Sequence, residues 1–216
     1  MIKPLFITFE GGEGSGKSTQ IQLLYKALRD QGKDVCLTRE PGGSTGAEEI
    51  RSLLLKGTAS RWDALTEILL FSAARRDHLV KTIWPALEKG SIVISDRFYD
   101  STTAYQGYGY GCDPERISAL TSLYTMIAGD FKPNLTFILD IDPHVGLKRS
   151  KNRFGNTEQR FEEMNVTFHE NLRRGFLMIA RDNPDRCVVI NANQTPECVH
   201  ADIMRVLTVR GYFENA

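Results

Sequence analysis

Gly11-Gly12-Glu13-Gly14-Ser15-Gly16-Lys17-Ser18 follows directly on the apolar run Leu5-Phe6-Ile7-Thr8-Phe9. It meets the pattern G-x-x-x-x-G-K-[ST] at every fixed position. From Ser18 the apolar residues Ile21, Leu24 and Leu28 recur at helical spacing, and Gly32 follows as a stop signal. Strand, glycine turn and helix therefore stand in the order that a phosphate cradle needs. Glycines let successive N–H groups face phosphate oxygens where a Cβ would obstruct them. The helix N-terminus adds unpaired N–H groups and the positive end of its dipole. Gly11, Gly12, Glu13, Gly14, Ser15, Gly16, Lys17, Ser18 and Thr19 are thus expected to hold a nucleoside triphosphate. Lys17 reaches the β- and γ-phosphates, and the Ser18 hydroxyl ligates Mg²⁺.

Outward from this stretch, strand-like and helix-like segments alternate. Asp34–Thr38 reads as a strand running into the breaker-rich turn Arg39-Glu40-Pro41-Gly42-Gly43. Ala47–Lys56 reads as a helix. A long helical pattern runs from about Asp63 to Glu88, with Pro85 suggesting a kink or an earlier stop. Ser91–Ser95 and Leu135–Leu139 are buried-type strands, and Val188–Ile190 gives the last. Asp113-Pro114, Asp142-Pro143 and Thr195-Pro196 each look like a cap followed by proline in the first helical turn. The expected fold is α/β, a doubly wound parallel sheet of five strands with helices on both faces. One domain over residues 1–216 is expected, with a short lid at about 149–160.

Composition narrows the partners. With 27 basic and 27 acidic residues the formal charge is zero, so nothing draws the whole chain to nucleic acid or an anionic membrane. Neither a signal peptide nor a long apolar span is read, which points to the cytoplasm. Cys36, Cys112, Cys187 and Cys198 lack metal-ligand spacing and are expected to be free thiols. His78, His144, His169 and His200 are isolated and read as ordinary surface or partly buried residues.

In such sheets ligands collect at the carboxyl ends of the strands. Glu10, Arg39-Glu40, Asp96-Arg97 and the segment after Asp140 fall there. Asp96 is expected to hold the Mg²⁺ shell, with Asp140 a competing carboxylate, and Arg97 can fork onto phosphate oxygens. Arg149 to Gly155 is basic and reads as a lid carrying cations. Phe71 could stack on a base, with Arg75 one helical turn on, although core packing is the more common use of such a ring. The polar, aromatic, glycine-rich segment Ser101–Gly111 suits a binding loop, and by composition also a flexible connection.

Taken together, FEGGEGSGKST from Phe9, TREPGG from Thr38, LLFSAARRDHL from Leu69, DRFYDSTTAYQG from Asp96, FILDIDPHVGLKR from Phe137 and QRFE from Gln159 resemble the bacterial thymidylate kinases. These belong to the P-loop nucleoside monophosphate kinase class. The resemblance implies an ATP- and Mg²⁺-dependent transfer of the γ-phosphoryl group to dTMP by a homodimer. It implies that Arg39 and Arg97 contact the dTMP phosphate, and that Glu10 stands at the acceptor-phosphate end of the crevice. Phe71 would stack on thymine, and Arg75, Thr102 and Gln106 would bond its edge. Arg51 would line the pocket, and Tyr105 would crowd the sugar's 2′ position. Asn191 to Gln194 would lie beside adenine. Some relatives carry an arginine where this chain has Gly14, and Arg149, Arg153 and Arg160 match the type that supplies cations from the lid. Lys151 stands where some members have arginine.

Two other readings keep the same phosphate loop. A deoxynucleoside kinase would need a carboxylate base, for which Glu10 or Glu40 could serve. A GTP-dependent switch usually carries Asn-Lys-x-Asp, and no Asn-Lys pair occurs in the chain.

Overall fold

The computed structural model of the chain describes residues 5–56, 61–151 and 164–213. Five parallel strands, β1 (Leu5–Glu10), β2 (Val35–Arg39), β3 (Ile92–Asp96), β4 (Leu135–Asp140) and β5 (Cys187–Asn191), form one sheet in the order β2-β3-β1-β4-β5. Every residue of β1 is buried, as a central parallel strand covered on both faces requires.

Alternation along β1 assigns its side chains to two cores. Leu5, Ile7 and Phe9 join Ile21, Leu24 and Leu28 of α1 (Lys17–Asp30) and Val199, Ile203 and Leu207 of α9 (Pro196–Val209). Phe6 points to the other face, where it meets Leu79, Ile83, Val93, Phe98 and Tyr124. A further cluster under β4 joins Ile138 to Tyr105 and to Phe168, Leu172 and Phe176 of α8 (Val166–Asp182). Full burial of each such side chain contributes about 1.5–3 kcal/mol, so this two-sided packing holds the sheet.

The remaining helices are α2 (Thr45–Leu55), α3 (Ala64–His78), α4 (Trp84–Glu88), α5 (Tyr99–Thr102), α6 (Pro114–Ala128) and α7 (Pro143–Lys151). Asp113 and Thr195 cap α6 and α9 through bonds from Arg116 N and Cys198 N, each with proline in the first turn. Asp142 accepts from His144 N ahead of α7. The long helical pattern continues to Glu88, with its expected interruption taken up by a π-helical turn at Leu79–Ile83 between α3 and α4. Pro85 has no N–H to donate and its ring crowds the carbonyl four residues back, and the widened turn upstream relieves both.

One reading needs correction. The Ser101–Gly111 segment is neither a loop nor a flexible connection. It is α5 followed by a π-helical stretch, Thr103–Gly109, buried along its whole length. Its glycines serve close packing: a Cβ on Gly107 would lie 2.7 Å from Ile117, and one on Gly109 2.4 Å from the Phe168 ring. Glycine and tyrosine interleaved in sequence look like a turn-rich loop, whereas here α6 and α8 are pressed against the missing side chains.

The Gly109→Ala substitution is therefore expected to lower stability by about 1–3 kcal/mol, because the methyl forces the Phe168 ring out of place. Urea denaturation checks this, and a midpoint indistinguishable from the parent would mean that the ring gives way freely.

Candidate active site

β1 ends at Glu10, and residues 11–16 turn back into α1. Gly16 stands at the N-cap in a left-handed conformation with no side-chain bond to the helix, so its first N–H groups are left to face an anion. Gly14 (φ 66°) packs against α7: a Cβ there would fall 1.9 Å from the Gly146 carbonyl oxygen. Lys17 folds over the loop and donates from Nζ to the carbonyls of Gly11 (3.1 Å) and Gly12 (2.9 Å). Burial, and after it the charge of Arg97, brings its ammonium down to about 8. Ser18 and Thr19 are exposed on the first turn of α1.

The two candidate metal carboxylates are separated by their neighbours. Asp140 is held bidentately by Arg173 of α8 at 2.7 and 2.8 Å. Asp96 lies in register with both Phe9 and Arg39. It accepts from Ser18 Oγ at 3.3 Å, while its Oδ1 is buried without a partner among the described residues. An orphaned carboxylate oxygen beside the loop hydroxyl suits a hard cation with oxygen ligands. Arg39 is half-exposed and pairs with Glu48 at 3.1 Å, in the same open cleft as Ser18 and Asp96.

Arg97 follows Asp96 in the left-handed region (φ 68°), uncommon for a residue other than glycine. Its guanidinium donates to Gly11 O (3.0 Å), Ser101 Oγ (3.1 Å) and Glu13 Oε1 (2.8 Å), and lies over the Tyr105 ring. The Tyr105 hydroxyl donates to the same Glu13 oxygen at 2.7 Å. Burial acts to raise the Glu13 carboxyl, but Arg97 and Lys17 outweigh it and hold the group at about 2. Glu10 lies beneath this surface rather than at the end of the crevice. It is fully buried, accepting from Phe98 N at 2.8 Å and Ser101 Oγ at 2.5 Å. Burial, with nearby Asp100, pushes its carboxyl up to about 8.

Beside Arg97 opens a cavity of about 150 Å³ whose lining includes Arg51, Phe71, Arg75, Thr102, Tyr105 and Gln106. Phe71 is only half-buried and offers its ring to this space. Arg51 donates to the Pro41 carbonyl at 2.5 Å. Arg75 is buried, donating from Nε to Glu40 (2.7 Å) and from Nη2 to Thr102 (2.8 Å). Gln106 donates from Nε2 to Glu67 at 3.1 Å. Arg149 is exposed on α7 and donates to the Ala192 carbonyl at 3.1 Å, beside the loop after β5. Arg153, Arg160, the QRFE motif and the rest of the lid fall outside the described residues.

His78 corrects another expectation, as does His169, since both are buried rather than surface or partly buried residues. His78 Nε2 meets Thr38 Oγ1 at 2.6 Å and its Nδ1 meets Glu40 Oε1 at 3.0 Å. A continuous chain thus runs Thr38–His78–Glu40–Arg75–Thr102 under the cavity. The signal existed: Glu67, Phe71, Arg75 and His78 recur at spacings of four, four and three, which places them on one side of a helix.

Comparison with known proteins agrees with this geometry. The family model described as "Thymidylate kinase" matches residues 9–203. The thymidylate kinase of Caulobacter vibrioides is 50% identical over 210 residues, covering 97% of this chain and 99% of that protein. That of Ruegeria pomeroyi is 51% identical over 203 residues, 94% of each. A crystal structure of thymidylate kinase from Ehrlichia chaffeensis is similar with a TM-score of 0.75 and 41% identity, covering 94% of this chain and 98% of that one.

Replacing His78 by Leu strips a buried carboxylate oxygen and a hydroxyl of their partner. We expect a loss of about 2–4 kcal/mol in chemical denaturation, and a smaller one for His78→Gln, whose amide can still bond both neighbours. Equal stability of the parent and the leucine variant would show that the chain holds nothing.

Proposed function

The chain belongs to the thymidylate kinase family, whose reaction is the ATP-dependent phosphorylation of dTMP to dTDP, and on that premise we propose how this crevice carries it out. The ATP phosphates lie in the curl of residues 11–16 and on the first N–H groups of α1. Lys17 exchanges its bonds to Gly11 and Gly12 for the β- and γ-phosphate oxygens. The dTMP ring enters the neighbouring cavity and stacks on Phe71, with Arg75, Thr102 and Gln106 at its edge and Arg51 beside it. Tyr105 stands against the 2′ side of the sugar.

The observation that carries this reading is the position of Arg97, whose guanidinium spans the wall between the phosphate loop and the cavity. It can touch donor and acceptor phosphates together as charge shifts between them. Arg39 joins it on the acceptor phosphate. Its pair with Glu48 is exposed and worth about 1 kcal/mol or less, so a phosphate dianion displaces it readily. Ser18 and Asp96 would hold Mg²⁺, which supplies positive charge to the β- and γ-phosphate oxygens when bound. Because the acceptor is already an anionic phosphate, no general base is needed, and catalysis is positioning plus neutralisation. Glu10 serves here as a positioning residue, fixing Ser101 and through it Arg97.

Lid closure over residues 149–160, with Arg149 and Arg153 adding charge and excluding water, belongs to the same reading. So does one kinase domain spanning residues 1–216. A deoxynucleoside kinase finds little support, since Glu10 and Glu40 are both engaged in buried bonds and Glu13 is far too acidic to act as a base.

We further read the enzyme as a cytoplasmic homodimer. Leu65 and Leu69 of α3 are 64% and 51% exposed, and Met126 of the adjacent α6 is 80% exposed, an apolar surface that a second copy would cover. No helix among the described residues is long and apolar enough to cross a membrane.

The direct test offers dTMP, dUMP, dCMP, dAMP and dGMP with ATP and Mg²⁺. We expect dTMP to exceed the purine monophosphates in kcat/KM by at least about 100-fold. Brisk reaction of another acceptor with dTMP left untouched would defeat the proposal. The lowered Lys17 group gives a second expectation. Bound phosphate favours its charged form, so ATP binding takes up protons near pH 8.5 and affinity falls as pH rises through about 8. Calorimetry in buffers of differing ionisation enthalpy measures the uptake, which should vanish in Lys17→Met.

A further inference from the structure

Glu67 is unexpected where it stands. It is 3% exposed, on α3 one turn before Phe71, and accepts from Gln106 Nε2 at 3.1 Å. Gln106 is 1% exposed, and its Oε1 is buried without a hydrogen-bond partner among the described residues. A carboxylate offers only lone pairs, so the amide nitrogen must face Glu67. Rotating the amide by half a turn would set two acceptors against each other in a buried place. Gln106 is therefore left with its oxygen as the unpaired acceptor, its nitrogen being turned toward Glu67. Arg75, at the same edge, can only donate, with its Nε fixed on Glu40 and its Nη2 on Thr102.

We infer that Glu67 is a specificity-determining positioning residue: it locks the Gln106 amide so that the cavity demands a base with an N–H at ring position 3 and a carbonyl at position 4. Thymine and uracil present that pair, and cytosine presents its reverse, an acceptor at 3 and an amino donor at 4. Cytosine would leave Arg75 facing a donor and Gln106 facing an acceptor, both desolvated, and a site of this kind rejects a mismatched partner strongly. The inference rests on reading the cavity as the base pocket, and adds to it a residue that touches no substrate.

Steady-state kinetics with dTMP and dCMP test it on four proteins. In Glu67→Gln the side chain can both donate and accept, so the Gln106 amide is free to turn. The dTMP-to-dCMP ratio of kcat/KM should fall by about tenfold or more, through KM for the monophosphate, with KM for ATP unmoved. The exchange Glu67→Gln with Gln106→Glu again puts an amide nitrogen against a carboxylate and leaves an acceptor toward the base. It should recover most of the ratio, which a merely structural role would not allow, and it stands as the test if the single variant does not fold. Equal losses for dTMP and dCMP in Glu67→Gln, or no recovery in the exchange, would overturn the inference. Gln106→Leu separates the two layers. If the ratio is unchanged there, the base-pocket reading falls and the role of Glu67 with it. If it shifts in Gln106→Leu and not in Glu67→Gln, only the role of Glu67 is lost.

Discussion

Arg97 cannot leave its place without breaking three bonds to two separate parts of the chain. Gly11 and Glu13 belong to the phosphate loop and Ser101 to α5, and Glu13 is itself held by Tyr105 of the π-helical stretch. Those contacts overdetermine a left-handed backbone that a free arginine would leave at once. The sheet supplies the framework, since β3 lies beside β1 and delivers Asp96 and Arg97 opposite the loop that follows Glu10. Once that adjacency exists, a cation with its planar fork already aimed sits between two concave surfaces, and little reorganisation is left for the moment of reaction.

The charges around it are sorted by depth. Glu13, beside Arg97 and Lys17, stays a strongly acidic carboxylate, while Glu10, one layer lower and near Asp100, is pushed the other way. Asp100 is answered by Arg186, and Glu40 by Arg75 and His78. Buried pairs of this sort add little net stability, because desolvation consumes most of the attraction. What they provide is fixed direction. A network whose charged groups are paired holds most of its donors and acceptors in one direction, and a ligand then meets a prearranged pattern rather than a flexible one.

How far this could be seen in advance depended on the range of the forces involved. The phosphate loop was legible because its signal lies in local backbone need and in the segments that flank it. That Glu10, Arg39-Glu40 and Asp96-Arg97 gather at one end of the sheet followed from parallel topology. What sets Asp96 apart from Asp140 was not legible, because Arg173, which pairs with Asp140, lies far along the chain on α8. The burial of Thr103–Gly109 was hidden for a related reason: its glycines answer to Ile117 and Phe168, which no local window contains. Glu10 could have been placed better. Along β1 it shares the parity of Phe6 and Thr8, so its side chain was bound to face inward with them.

Gly14 and Gly146 meet backbone to backbone, with no room for a Cβ on either side: on Gly146 it would fall 2.4 Å from the Glu13 carbonyl oxygen. A side chain at either position would therefore run into the backbone at or beside the other. A side chain at the first demands that the helix carrying the second be set back by an ångström or more, and that helix also leads toward the segment that would cover the nucleotide. A bulky residue at position 14 would thus do more than add a group to the loop, because it would also redraw the join between loop and helix.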